Sequence, residues 1–187
     1  SLMFIIVKYL FHNVITSIED ILKYTDKPVI GIIPKYRLEI PVSQLIVDKR
    51  PKSMIAESLR VIRTNLQFIT NLPGPKLLAI TSTISGEGKT FFAINLAGVI
   101  AFSNKKVIIV DSDMRKPKIH VGFNIGNEKG LSTILMGKDT FQNCINHSIV
   151  ENLDFITAGP VPPNPSELIL DSKMDHLLEE LKKIYDY

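Results

Sequence analysis

The chain is poor in cysteine. Cys144 stands alone in 187 residues, so there is no disulfide framework and no thiolate set for zinc, and a reducing compartment is the simplest inference. The four histidines (His12, His120, His147, His176) lack metal-ligand spacing and read as structural or surface residues. No apolar run reaches the ~20 residues of a membrane helix. The longest candidate, residues 2–11, is broken by Lys8. Its alternatives are the end of a membrane helix, an interfacial segment and a core helix. A formal charge of +3 is too small to argue for nucleic acid, though it suits a mildly basic face near a membrane or a phosphate ligand. Repeats and low-complexity tracts are also missing. Apolar residues at 45% and charged residues at 22% are ordinary for a globular protein. The length fits one domain, or one domain with a short appendage.

The rest is organised around residues 76–90, KLLAITSTISGEGKT. Residues 77–80 form a short apolar run that predicts a buried parallel strand. A turn rich in serine, threonine and glycine follows, and residues 91–102 predict a helix of three turns. Strand, glycine turn and helix make a phosphate cradle. Backbone N–H groups of Ser85, Gly86, Glu87, Gly88, Lys89, Thr90 and Phe91 converge on phosphate oxygens, helped by the helix dipole. Lys89 reaches the β- and γ-phosphates, and the Thr90 hydroxyl is a Mg²⁺ ligand. Thr83 stands where the usual pattern has its first glycine. A dinucleotide fingerprint is excluded, because Gly86-x-Gly88 continues into Lys-Thr rather than a third glycine.

A second apolar run, residues 107–110, ends in Asp111-Ser-Asp113-Met-Arg115. Carboxylates at the C-terminal tip of a strand sit where open α/β sheets meet their ligands. Asp111 and Asp113 suit Mg²⁺, or one of them orients and deprotonates an attacking hydroxyl. The alternative is a pair of turn aspartates. Residues 53–69 form an amphipathic helix, with Ile55, Leu59, Ile62 and Leu66 on one face and Glu57, Arg60 and Arg63 off it. By themselves those charges read as a solvated face. The other expected elements are a Ser17-capped helix to about residue 24, a strand at 28–33, a linker at 35–50, a helix at 130–136, a strand at 153–157 and a helix at 174–184. Asn164 and Pro165 open a further helix. Residues 168–171 imitate an apolar run ending in Asp, but they follow that helix start and read as helix.

Three stretches together resemble the bacterial tyrosine kinases of capsule and exopolysaccharide export. Residues 81–90 resemble that family's Walker A segment, with Ser85 in place of a usual proline. Residues 107–120, VIIVDSDMRKPKIH, resemble its Walker A′ segment. Glu57-x-x-Arg60-x-x-Arg63 resembles the motif of the helix through which those kinases assemble into rings. Residues 28–34, PVIGIIP, and 158–168, AGPVPPNPSEL, add to the likeness, which runs from about residue 16 onward.

The resemblance implies an α/β, P-loop NTPase-like fold, a mostly parallel sheet flanked by helices. It implies autophosphorylation on tyrosine between neighbouring subunits, with ATP and Mg²⁺ as cofactors. Lys89, Asp111 and Asp113 are the expected catalytic residues. Thr90 joins the two aspartates at the metal, and Arg115 contacts phosphate or the neighbouring subunit. Expected partners are further copies of the chain, through Glu57, Arg60 and Arg63, the polysaccharide-export machinery and a cognate tyrosine phosphatase, with no nucleic acid. Residues 1–15 are expected to be membrane-proximal and 16–187 to be the kinase domain. The setting is the cytoplasmic face of the bacterial inner membrane, within a longer anchored chain. Starting at Ser1 suggests a cloning remnant or a cut from something longer. The family places a Walker B strand and a tyrosine-rich tail after a Tyr-Asp-Tyr like residues 185–187, so a strand is expected to be missing from the sheet. Rival readings are a non-catalytic scaffold of the same system and a partition- or division-type switch ATPase. Residues 82–85 lack the extra lysine usual in the latter.

Overall fold

The computed structural model describes residues 15, 17–36, 44–70 and 73–187. The expected membrane-proximal segment therefore lies almost wholly outside the described residues. Among those described, no helix is long and apolar enough to cross a membrane.

The order is α1 (Ile18–Leu22), α2 (Ile46–Lys49), α3 (Met54–Ile69), α4 (Lys89–Ala101), β1 (Val107–Val110), α5 (Ile119–Phe123), α6 (Leu131–Leu135), α7 (Phe141–Cys144), β2 (Asn146–His147), β3 (Leu153–Ile156), α8 (Pro165–Ile169) and α9 (Ser172–Lys182). The sheet runs β1-β3-β2, with β1 parallel to β3 and β2 antiparallel to it. Alternation sends Val107, Ile109, Leu153 and Phe155 to one face and Ile108, Val110 and Ile156 to the other. The first face packs against α2, α3 and α4, and the second against Leu131 and Leu135 of α6 and Leu177 and Leu181 of α9. Helices on both faces of a sheet with a parallel pair make an α/β architecture.

Each of the well-predicted helices has a local cause. Ser53 caps α3 by accepting the Ala56 N–H at 3.2 Å, and Ile55, Ala56, Leu59 and Ile62 form its buried stripe. α4 is apolar nearly all round and buried from Ile94 to Ala101, as a helix between a sheet and a second helix layer should be. Pro165 at the first turn opens α8. Residues 168 and 169 are helical, which removes the run ending in Asp171 as a strand.

Three expectations need correction. Residues 35–50 are not simply a linker, because Leu45, Ile46 and Val47 are fully buried against α4. Residues 28–33 adopt no regular element and join no sheet among the described residues; Asn65 of α3 donates to the Ile30 carbonyl at 2.8 Å instead. Residues 77–80 likewise adopt no regular element and have no ladder partner among the described residues, and Leu77 is 61% exposed. The sheet is accordingly smaller and more mixed than a mostly parallel one.

The reason lies at the end of the chain. The Lys76 N–H donates to Asp186 O at 2.8 Å, while on the other side Ile108 N–H donates to Tyr187 O at 3.0 Å and Asp186 N–H to Lys106 O at 2.8 Å. Residues 186 and 187 thus lie between β1 and the segment that starts at Lys76. Two segments bonded to one intervening segment stand about 10 Å apart, and among the described residues no backbone bond joins residues 77–80 to β1. A cavity of about 520 Å³ lined by Leu78, Ile80, Ala97, Ile109, Leu181 and Tyr185 lies there.

Candidate active site

The glycine loop leads into α4 through two left-handed residues, Gly86 (φ 94°) and Gly88 (φ 96°), the latter being the N-cap. A side chain would be strained at either position. A Cβ at either would meet no atom within 4 Å, so the space in front of the loop is open. The first turn of α4 has no side-chain cap and no acidic residue. Its free N–H groups and dipole face that open space, the arrangement that receives an anion. The Lys89 ammonium folds over the loop and donates to Ser82 Oγ at 3.0 Å. The Glu87 carboxylate accepts the Ile84 N–H at 3.3 Å, so that side chain braces the loop from within. Ser85 sits exposed at the loop tip. Phe91 turns its ring into the core beside Tyr36, with centroids 6.2 Å apart, and leaves only its backbone near the loop.

The cavity that exposes β1 also reaches the functional end of the sheet, where Lys89, Thr90, Asp111, Ser112 and Asp113 all line it. Tertiary folding thus brings two sequence segments more than twenty residues apart onto one opening. The two aspartates differ sharply there. Asp111 is buried and accepts N–H groups from Asp113 (3.1 Å), Lys118 (3.3 Å) and Ile119 (3.1 Å). Burial pushes its pKa above the ordinary aspartate value, and the three amide bonds only partly oppose that. Asp113 is exposed and spends one oxygen on the Lys116 N–H at 3.1 Å. The turn role weighed for these aspartates is therefore real for both, and Asp111 also holds the loop that runs into α5. Arg115 points to α8, donating to Ser166 Oγ at 3.0 Å.

Glu57, Arg60 and Arg63 lie elsewhere. Glu57 pairs with Arg60, which also donates to Pro51 O at 2.8 Å, while Arg63 donates to Val99 O at 3.2 Å. Val99 is ten residues beyond Lys89 on α4, about 15 Å along the axis. This group is a surface separate from the phosphate loop.

One residue of structural weight was missed. Asn95, fully buried in the middle of α4, accepts the Ile46 and Val47 N–H groups at 2.7 and 3.2 Å and donates to Gln44 O and Phe91 O, each at 2.8 Å. Its signal was a lone amide within an otherwise apolar helix.

An open glycine loop that flows into a helix at its lysine, facing carboxylates on the next strand, defines the class of P-loop nucleotide-binding proteins. The family described as AAA domain matches residues 75–187. The chain is 43% identical over 146 residues to the putative tyrosine-protein kinase CapB of Staphylococcus aureus, covering 78% of this chain and 64% of that protein. It resembles the crystal structure of the chimerical protein CapA2B2 with a TM-score of 0.82 and 40% identity over 91% of this chain and 73% of that one. The kinase domain of the Escherichia coli tyrosine kinase ETK follows with a TM-score of 0.77 and 36% identity, covering 85% of this chain and 66% of that one. The chain belongs to the bacterial tyrosine kinase family. It spans 64% of the length of CapB and 60% of that of YwqD of Bacillus subtilis.

Proposed function

We propose that this chain is the P-loop domain of an ATP-dependent protein-tyrosine autokinase serving capsule or exopolysaccharide export. The observation that carries the reading is the shared cavity of Lys89, Thr90, Asp111 and Asp113. The residues fit a nucleotide: uncapped N–H groups, the Lys89 ammonium and open space stand where phosphates would lie. Mg·ATP, when bound, supplies the phosphoryl group and the metal that offsets its charge. Lys89 would leave Ser82 to meet the phosphate oxygens, and the N–H groups of the loop from Ser85 to Phe91 would hold them. Thr90 and the solvent-facing Asp113 carboxylate would hold Mg²⁺, Asp113 through water. Asp111 would orient the incoming tyrosine hydroxyl and take its proton, a role suited to a carboxylate whose burial raises its pKa above the ordinary aspartate value. Arg115 steadies phosphate or a neighbouring copy from its seat on Ser166.

In this reading α3 meets a second copy through Glu57, Arg60 and Arg63 to build a ring. Residues 1–15 approach the membrane, and the domain works on the cytoplasmic face of the inner membrane within a longer anchored chain. The export machinery and a tyrosine phosphatase are its partners. Support comes from relatives named tyrosine-protein kinases and from the lack of a lysine in residues 82–85, which disfavours the switch ATPase. The test is phosphotyrosine mass spectrometry after incubation of the full chain with Mg·ATP. Labelling is expected in the native protein and its abolition in Lys89→Met. Undiminished labelling in the variant removes Lys89 from the mechanism, and hydrolysis without labelling replaces the kinase by a switch ATPase.

A further inference from the structure

We propose that Tyr24 is a phosphate acceptor of the chain, modified by the loop of a neighbouring copy; this rests on the tyrosine-kinase reading above. A tyrosine kinase that labels itself needs a phenol that can leave its own fold, and the described tyrosines differ widely in that respect. Tyr185 is 8% exposed and donates its hydroxyl to Asp154 Oδ2 at 2.7 Å. Tyr36 packs against Phe91 and the first core. Tyr187 is half-buried and bonded through its backbone to Lys106 and Ile108. Tyr24 is 81% exposed, in the turn that closes α1, where its N–H donates to Ile21 O at 2.9 Å.

Position favours transfer between copies. Six residues after Tyr24 the chain is tied to α3 through Asn65 and Ile30, and a Cβ on Gly31 would collide with Ile62. Six residues reach at most about 20 Å, so Tyr24 stays near the helix that carries Glu57, Arg60 and Arg63. Charge favours the encounter as well. Around Tyr24 the acids Glu19, Asp20 and Asp26 outnumber by one the bases Lys23, which pairs with Asp20, and Lys27, whereas exposed Arg115, Lys116 and Lys118 lie in the loop between Asp113 and Ile119, both of which line the phosphate cavity. In the transfer, Tyr24 Oη bonds to the γ-phosphorus as the bond from that phosphorus to the β,γ-bridging oxygen breaks. ADP leaves with the electron pair, and the phenolic proton passes to Asp111 of the neighbouring copy and on to water.

The experiment mixes full-length Lys89→Met chains with Tyr24→Phe chains and Mg·ATP, then maps phosphotyrosine on tryptic peptides. Residues 24–35 form a distinct peptide, because Lys27 precedes proline. The expected result is phosphate on this peptide, which only the Lys89→Met chain can carry, and none when that chain is incubated alone. Phosphotyrosine at other positions with none on Tyr24 overturns the inference and leaves the kinase reading intact. No phosphotyrosine in the native protein overturns both. A readout independent of activity is nitration with tetranitromethane: Tyr24 should react well ahead of Tyr185, and protection of Tyr24 would refute its role as an accessible acceptor.

Discussion

Replacing Asn95 by alanine should destabilise the domain by about 3 kcal/mol, although Asn95 touches no residue of the phosphate loop. Four hydrogen bonds end on this one amide. The Phe91 carbonyl keeps its partner within α4, and Ile46 N–H retains a bent contact to Gln44 O at 3.0 Å. The Gln44 carbonyl keeps that same Ile46 N–H, but the Val47 N–H has no replacement in a site that excludes water. Leaving a buried polar group unsatisfied costs about 1–3 kcal/mol. One such group, together with the void left by the lost amide, gives the stated total. With an m-value near 2 kcal/mol/M, the urea midpoint should fall by about 1.5 M with its slope unchanged. Asn95→Asp is the informative companion: it keeps an acceptor for both N–H groups but loses the donor and buries a charge, so it should also be destabilised. A loss below about 1 kcal/mol in Asn95→Ala would refute the reasoning, because residues 44–47 would then be held by apolar contact alone.

Two further outcomes follow from the titratable groups. Burial raises the Asp111 pKa, so the native state holds its proton more tightly than the unfolded chain does. Its contribution to stability is full below the ordinary value of 3.8 and is lost as pH rises through the folded value. Asp111→Asn should lack that slope in urea midpoints measured across acid pH; an identical slope in both proteins would contradict the assignment. Tyr185 has its pKa raised by burial and by its bond to Asp154. Tyr185→Phe should cost about 1 kcal/mol at neutral pH. The native protein should also lose stability more steeply than the variant as pH rises beyond 10, the ordinary tyrosine value. Parallel profiles would deny the bond its role.

The sequence by itself determined the pieces whose causes are local. Gly86 and Gly88 had to be glycines for their left-handed turns, Ser53 had to cap α3, and residues 107–110 had no reading but a buried strand. Their order was enough to predict the P-loop class and to nominate Lys89, Thr90, Asp111 and Asp113. What only tertiary structure decided is everything that depends on a neighbour. Residues 77–80 have strand composition, yet they pair with no strand among the described residues, because a ladder needs a partner at bonding distance and residues 186 and 187 meet the segment only at Lys76. Leu45, Ile46 and Val47 looked like linker because three buried residues are too short to show a period, and Asn95, about fifty residues away, pulls them into the core. The two aspartates, alike in sequence, became a buried group on three amides and an open carboxylate. Burial is a property of the assembled chain, and it set which of them holds the loop and which faces the solvent.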